Sequence, residues 1–167
     1  MIKKIFITIL FSITLISNSY SAGSSSSGGE GDGPKTKTNY EKAVKLIKSA
    51  NKYEKKGKKV KAQSSYEKAL KLLLKSNSKK PNKPDTLNYL GFTSRKLGDF
   101  ENGEKYYLQG LAINPYHIGI NEYLGELYVA TNRHNLAVER LEVLKGCDCK
   151  AYDDLKAIIA GEKISKY

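Results

Sequence analysis

Two histidines, His117 and His134, and two cysteines, Cys147 and Cys149, are all that the 167 residues offer of those types. The histidines stand 17 residues apart with no cysteine or carboxylate at ligand spacing, so they read as surface or helix-cap residues rather than metal ligands. A glycine-rich phosphate loop, a nucleophile elbow and a His-Glu-x-x-His helix are all missing. Asp153 and Asp154 are adjacent and would diverge on a helix, which suits a helix start and not an acid and base pair. No catalytic centre is legible, and the sequence predicts a chain that is not an enzyme and uses neither cofactor nor metal. Long hydrophobic runs are scarce too. The longest uncharged apolar stretch, Ile5 to Ile16, has 12 residues, against the roughly 18 or more that span a bilayer.

That stretch sits behind Lys3 and Lys4 and ahead of Ser19 and Ser21, which are spaced like a signal-peptidase site. Residues 1–21 therefore read as an export signal cleaved after about Ser21, with an uncleaved N-terminal anchor as the alternative. No cysteine follows the run, so nothing marks a lipoprotein. The expected location is exported, periplasmic or extracellular, with no transmembrane helix after cleavage. Residues 22–38, "AGSSSSGGEGDGPKTKT", are glycine, serine and charged residues unable to hold against a core, a flexible linker. From Asn39 about 129 residues remain, enough for one domain.

Charge is uneven. Between Lys35 and Lys83 there are 17 lysines against three glutamates, whereas Pro84 to Tyr167 holds 10 basic and 12 acidic residues. The basic lobe would attract an anionic surface or polyanion, and its bland counterpart is a solvated lysine-rich helix surface. It lacks the interleaved aromatics and arginines that read bases, so nucleic acid is not the expected partner.

Gly57, Gly98 and Asn132 each follow one helical pattern and precede another, where a left-handed residue ends a helix; their separations are 41 and 34. Upstream run the apolar stripes Leu46, Ala50, Tyr53; Leu87, Leu90, Gly91; and Leu124, Gly125, Tyr128. Downstream run Ala62, Tyr66, Ala69; Gly103, Tyr107, Gly110; and Ala137, Leu141, Leu144. Each unit is a helical hairpin.

The 34-residue period and this layout resemble the tetratricopeptide repeat, W-x2-L-G-x2-Y, then A-x3-F, then P. In the middle unit Leu87 stands in the Trp place, Leu90-Gly91 supply Leu-Gly, Gly103 and Tyr107 replace Ala and Phe, and Pro115 closes the unit, while Ser94 departs from Tyr. Leu124-Gly125, Tyr128 and Ala137 fit in the third, with Asn121 off the aromatic place and Cys149 at the Pro place. The first carries Ser49-Ala50 for Leu-Gly but keeps Tyr53, Ala62, Tyr66 and Ala69, its seven extra residues assigned to the loop "KSNSKKPNKP". "CDCKAYDDL" is similar to the ending of exported bacterial proteins of this kind.

The resemblance implies an all-α chain: three hairpins (about 43–76, 84–117 and 118–149, within 39–146) stacked as a short right-handed solenoid, then a Cys turn and capping helix over 147–167. Gly91 and Gly125, opposite Ala62, Gly103 and Ala137, are expected to let the two helices of a hairpin close tightly. Tyr152, Leu155 and Ile159 form the inward stripe of the cap, with Asp148 or Cys149 at its start. Cys147 and Cys149 read as a disulfide stapling the turn, with intermolecular pairing, half of a metal site and a redox-active pair as alternatives.

Arrays of this family bind extended peptides or helices in the groove lined by the first helix of each hairpin. The helix stripe left over by hairpin packing runs Ile47, Asn51, Glu54; Asn88, Phe92, Arg95; and Glu122, Glu126, Val129. There Asn51 and Asn88 would hold a peptide backbone, Phe92 an apolar anchor, Arg95 a carboxylate, and Glu122 with Glu126 a basic feature. Ile47 stands where the family's carboxylate clamps want Lys. The expected function is a non-catalytic interaction module of the cell envelope with a protein partner; the alternative is an electrostatic tether to an anionic envelope component.

Overall fold

The structure, a computed structural model, describes residues 37–165; residues 1–21, read from the sequence as an export signal, and all but the last two of residues 22–38, read as a linker, lie outside the described residues. Thr38 opens the first helix with a reciprocal cap: Glu41 N–H donates to its hydroxyl at 3.2 Å and Thr38 N–H donates to the Glu41 carboxylate at 2.8 Å. Among the described residues seven helices follow and no strand: α1 (Asn39–Lys55), α2 (Lys59–Lys79), α3 (Pro84–Lys96), α4 (Phe100–Ile113), α5 (Ile118–Ala130), α6 (His134–Leu144) and α7 (Lys150–Ile159). None of them is long and apolar enough to cross a membrane.

Consecutive helices pair as α1/α2, α3/α4 and α5/α6, and each hairpin packs on the next, with α7 against α5 and α6. The result is an all-α helical repeat solenoid. The same device ends α1, α3 and α5. Lys58 N–H donates to the Tyr53 carbonyl at 2.9 Å, Asp99 N–H to Ser94 at 3.0 Å, and Arg133 N–H to Tyr128 at 2.7 Å. That closure needs a left-handed residue before the donor, and Gly57, Gly98 and Asn132 supply it at φ +68°, +87° and +59°.

Ala43, Ile47 and Ala50 of α1, Ala62, Tyr66, Ala69 and Leu73 of α2, and Leu87, Leu90 and Phe92 of α3 make one buried cluster. Tyr107, Leu111, Ile120, Leu124, Leu127, Tyr128 and Ala137 make the second, and Leu144, Ala151 and Leu155 the third. Each cluster joins neighbouring elements, so the core is a chain of contacts along the array.

Two expectations are corrected. The first unit's extra residues do not all enter a loop: α2 runs for 21 residues against 14 and 11 in α4 and α6, and takes in Ser76 to Lys79. Pro81 stops it, because the residue before a proline is pushed out of the helical region, and Lys80 sits at φ −136°, ψ 82°. The second correction concerns Gly125. A Cβ at Gly91 would meet the Tyr107 ring 2.5 Å away, and one at Gly103 would lie 3.3 Å from the Gly91 carbonyl, so the α3/α4 crossing is as close as expected. At Gly125 the nearest neighbour is instead Leu155, 2.6 Å away, so that glycine makes room for α7 rather than for its own hairpin partner.

Ala in place of a helical Gly ordinarily gains about 1 kcal/mol, whereas overpacking a core costs about 1–3 kcal/mol. Gly91→Ala is expected to lower unfolding stability by roughly 2 kcal/mol in denaturant titration. Adding Tyr107→Leu to it should cost less than the two separate losses combined. A Gly91→Ala chain more stable than its parent would show that the crossing has slack.

Candidate interaction groove

Helices α1, α3 and α5 lie side by side, and between them a concavity of about 200 Å³ is lined by Val44, Ile47, Lys48 and Asn51 of α1, Tyr89 and Phe92 of α3, and Tyr123 of α5. Its floor is aromatic. Phe92 is buried and meets the Tyr123 ring at 5.2 Å and the Tyr66 ring at 6.2 Å, while Tyr89 meets Tyr40 edge-on at 5.8 Å. Tyr89 and Tyr123 remain half-buried and Lys48 is exposed.

The stripe read from the sequence is brought together, but deeper than expected. Asn88, Phe92, Arg95 and Glu126 are all less than 10% exposed. Arg95 donates to the Tyr123 carbonyl at 2.8 Å and stands 3.6 Å from the Glu126 carboxylate, with its guanidinium 5.8 Å from the Tyr123 ring and 6.0 Å from Tyr107. It therefore ties α3 to α5. Asn51 accepts a 2.6 Å hydrogen bond from the Tyr66 hydroxyl and so serves its own hairpin. Glu54 pairs with Lys96 at 2.8 Å, tying α1 to α3. Asn88 lies against Gly119, where a Cβ would come 2.9 Å from its Nδ2, and its Oδ1 has no hydrogen-bond partner among the described residues. Glu122 is half-buried beside Tyr123.

Sequence reasoning missed Tyr89, Tyr123 and Lys48. They occupy one register: each stands immediately before Leu90-Gly91, Leu124-Gly125 or Ser49-Ala50, at separations of 41 and 34. Their sequence mark is Tyr-Leu-Gly, which occurs at 89–91 and again at 123–125. His117 is a cap as expected. Its Nδ1 accepts from Ile120 N–H at 3.2 Å at the start of α5, and its Nε2 lies 3.1 Å from Asp85 on α3. No group of three or more His, Cys, Asp or Glu side chains that could hold a metal occurs among the described residues.

Residues 85–117, the second hairpin, match the tetratricopeptide repeat family. In fold the chain is similar to the first tetratricopeptide domain of Spaghetti (RPAP3) bound to the HSP90 peptide SRMEEVD, with TM-score 0.53 and 20% identity over 75% of this chain and 95% of that one. The first tetratricopeptide domain of human RPAP3 gives 0.53 and 22% over 75% and 98%. A tetratricopeptide repeat protein from Parabacteroides merdae gives 0.50 and 16% over 73% and 61%. No protein of curated function matches the sequence. The fold is thereby that of a tetratricopeptide-type helical repeat solenoid. Its second hairpin is similar to a tetratricopeptide repeat in sequence as well as in shape.

Burial holds several tyrosine hydroxyls of the array neutral. It raises Tyr107, against which the Arg95 charge works, and it raises Tyr123 with help from Glu122 and Glu126. Tyr66 is raised by burial and then by Glu54, and Tyr40 is pushed up to about 12 by burial and then Asp85. Unfolded tyrosines ionise near pH 10, so these groups favour the unfolded chain increasingly as pH rises past about 10 and leave stability unchanged below it. Absorbance at 295 nm should show these tyrosines ionising only together with loss of helical circular dichroism; independent ionisation while helicity persists contradicts their burial. Arg95→Ala, which leaves Glu126 buried beside a lost partner, should cost about 3 kcal/mol in denaturant unfolding. A loss under about 1 kcal/mol, the scale of a surface pair, would refute its role as a tie.

Proposed function

We propose that the chain is a non-catalytic interaction module of the cell envelope that holds a peptide or helix in the concave groove. The observation that carries this is the register shared by Lys48, Tyr89 and Tyr123, which leaves two tyrosine rings and an ammonium at the groove mouth above a buried aromatic floor. Large, stiff, amphipathic rings are the side chains that most often dominate protein interfaces. Glu122 beside them favours a segment with basic residues. That a protein of the same fold is solved with a bound peptide supports the architecture as a peptide holder.

Asn88, Phe92, Arg95 and Glu126 serve this reading as the wall that shapes the groove, and Asn51 and Glu54 fix α1 against its neighbours. The electrostatic tether is not favoured. Lys37, Lys79, Lys80 and Lys83 ring a cleft of about 560 Å³ at the ends of α1, α2 and α3, but all four are exposed and screened by salt.

The export reading rests on Lys3, Lys4 and the apolar run. Cys147 and Cys149, with Cα atoms 5.2 Å apart in the turn before α7, fit the geometry of an intrachain bridge. We infer that the pair is oxidised and staples that turn, as suits an exported chain.

Lys48→Glu with Tyr89→Ala should abolish recovery of a bound partner from envelope extract while leaving the chain folded by circular dichroism, since Lys48 is exposed and Tyr89 only half-buried. Equal recovery by wild type and variant removes the groove from consideration. Mass spectrometry of the exported protein should give a first residue near Ala22 and no alkylatable thiol; a start at Met1 refutes cleavage, and two alkylated thiols refute the bridge.

A further inference from the structure

Past α7 the chain turns back on the array. Glu162 N–H and Lys163 N–H both donate to the Ala157 carbonyl, at 2.9 and 3.1 Å, around Gly161 at φ +73°. This is the closure that ends α1, α3 and α5, so α7 ends like the first helix of a fourth hairpin. No second helix follows among the described residues. Instead Lys163 pairs with Asp154 at 2.6 Å, a carboxylate that also holds Lys150 at 2.6 Å. Two residues on, the Ser165 hydroxyl donates to the Glu126 carboxylate at 3.3 Å. Ile164 between them is 89% exposed, so Lys163 and Ser165 share the inward side of the segment while an apolar side chain faces water.

Glu126 is no ordinary surface acceptor. It is 4% exposed and occupies on α5 the register that Asn51 holds on α1 and Phe92 on α3. Ile164 stays in water while Ser165 reaches this carboxylate, so the polar contacts that hold the described part of the tail there are weak and exchangeable. Over 162–165, Glu-Lys-Ile-Ser, it sets an ammonium against Asp154 and a hydroxyl against Glu126, the chemistry that those carboxylates accept.

We propose that residues 162–165 are an intramolecular cover of the α5 end of the groove, which a partner bearing a basic or hydroxyl-containing segment must displace. The proposal rests on the groove reading and adds regulation to it. A covered site lowers apparent affinity by the fraction of time it is open.

The test uses a fluorescently labelled synthetic peptide of residues 162–167, titrated by anisotropy into three proteins. These are the intact chain, the chain ended after Gly161, and an intact-length Lys163→Glu, Ser165→Glu variant that sets carboxylates against Asp154 and Glu126. The shortened chain and the double variant should each bind the peptide at least about tenfold more tightly than the intact chain, a free-energy difference of about 1.4 kcal/mol. Equal binding by all three overturns the proposal, as does absence of binding by any of them. The double variant keeps the test decisive if the shortened chain proves unstable. Recovery of envelope partners by the same proteins separates the two readings: Tyr89-dependent recovery with no peptide binding sinks the tail proposal alone, and loss of Tyr89 dependence sinks the groove.

Discussion

A two-helix hairpin has more apolar surface than its two helices can hide from each other, and everything in this chain follows from the need to cover the remainder. Ile47, Tyr66 and Phe92 belong to three different helices yet to one buried cluster, because the first hairpin is complete only when the second lies on it. The second leans on the third through Arg95 and the Tyr123 carbonyl. The third is closed by α7, whose Leu155 fills the space that Gly125 leaves. Stability is therefore shared along a line rather than gathered at a centre.

Much of that line was legible in the sequence. Gly57, Gly98 and Asn132 announce helix ends because a left-handed backbone after a helical stripe has few other uses. Leu-Gly at a 34-residue interval marks a close helix approach, since a glycine inside a helix needs a packing reason. Less legible was which neighbour uses the gap. Gly91 and Gly125 look alike in the sequence, but one receives Tyr107 from its own hairpin and the other Leu155 from the element beyond. Nothing local to Gly125 distinguishes them. The length of α2 was hidden for a similar reason: "KSNSK" has weak helical pattern of its own, and it is Pro81 that decides where the helix stops.

The groove was legible as a direction and not as a depth. Spacing of i, i+4 and i+7 identifies a helix face, but successive residues differ by about 100° around the axis, and the closeness of the next helix decides which of two adjacent residues is covered. Asn88 and Tyr89 straddle that boundary. With α3 and α5 bound by Arg95, Asn88 is pressed against Gly119 while Tyr89 keeps one side open. Buried Arg95 is consequently structural first, and any partner meets it through the surface it supports.

Tyr-Leu-Gly recurs as a three-letter word in which each letter has a separate duty: Tyr faces the groove, Leu fills the core, and Gly admits a neighbour. Because the duties are adjacent, they cannot drift apart. Inserting or deleting one residue before the word on its helix would turn all three together, so a duplicated unit would bring a ready-made increment of recognition surface along with its scaffold. An array of this kind can lengthen its reach by copying, without inventing a site anew.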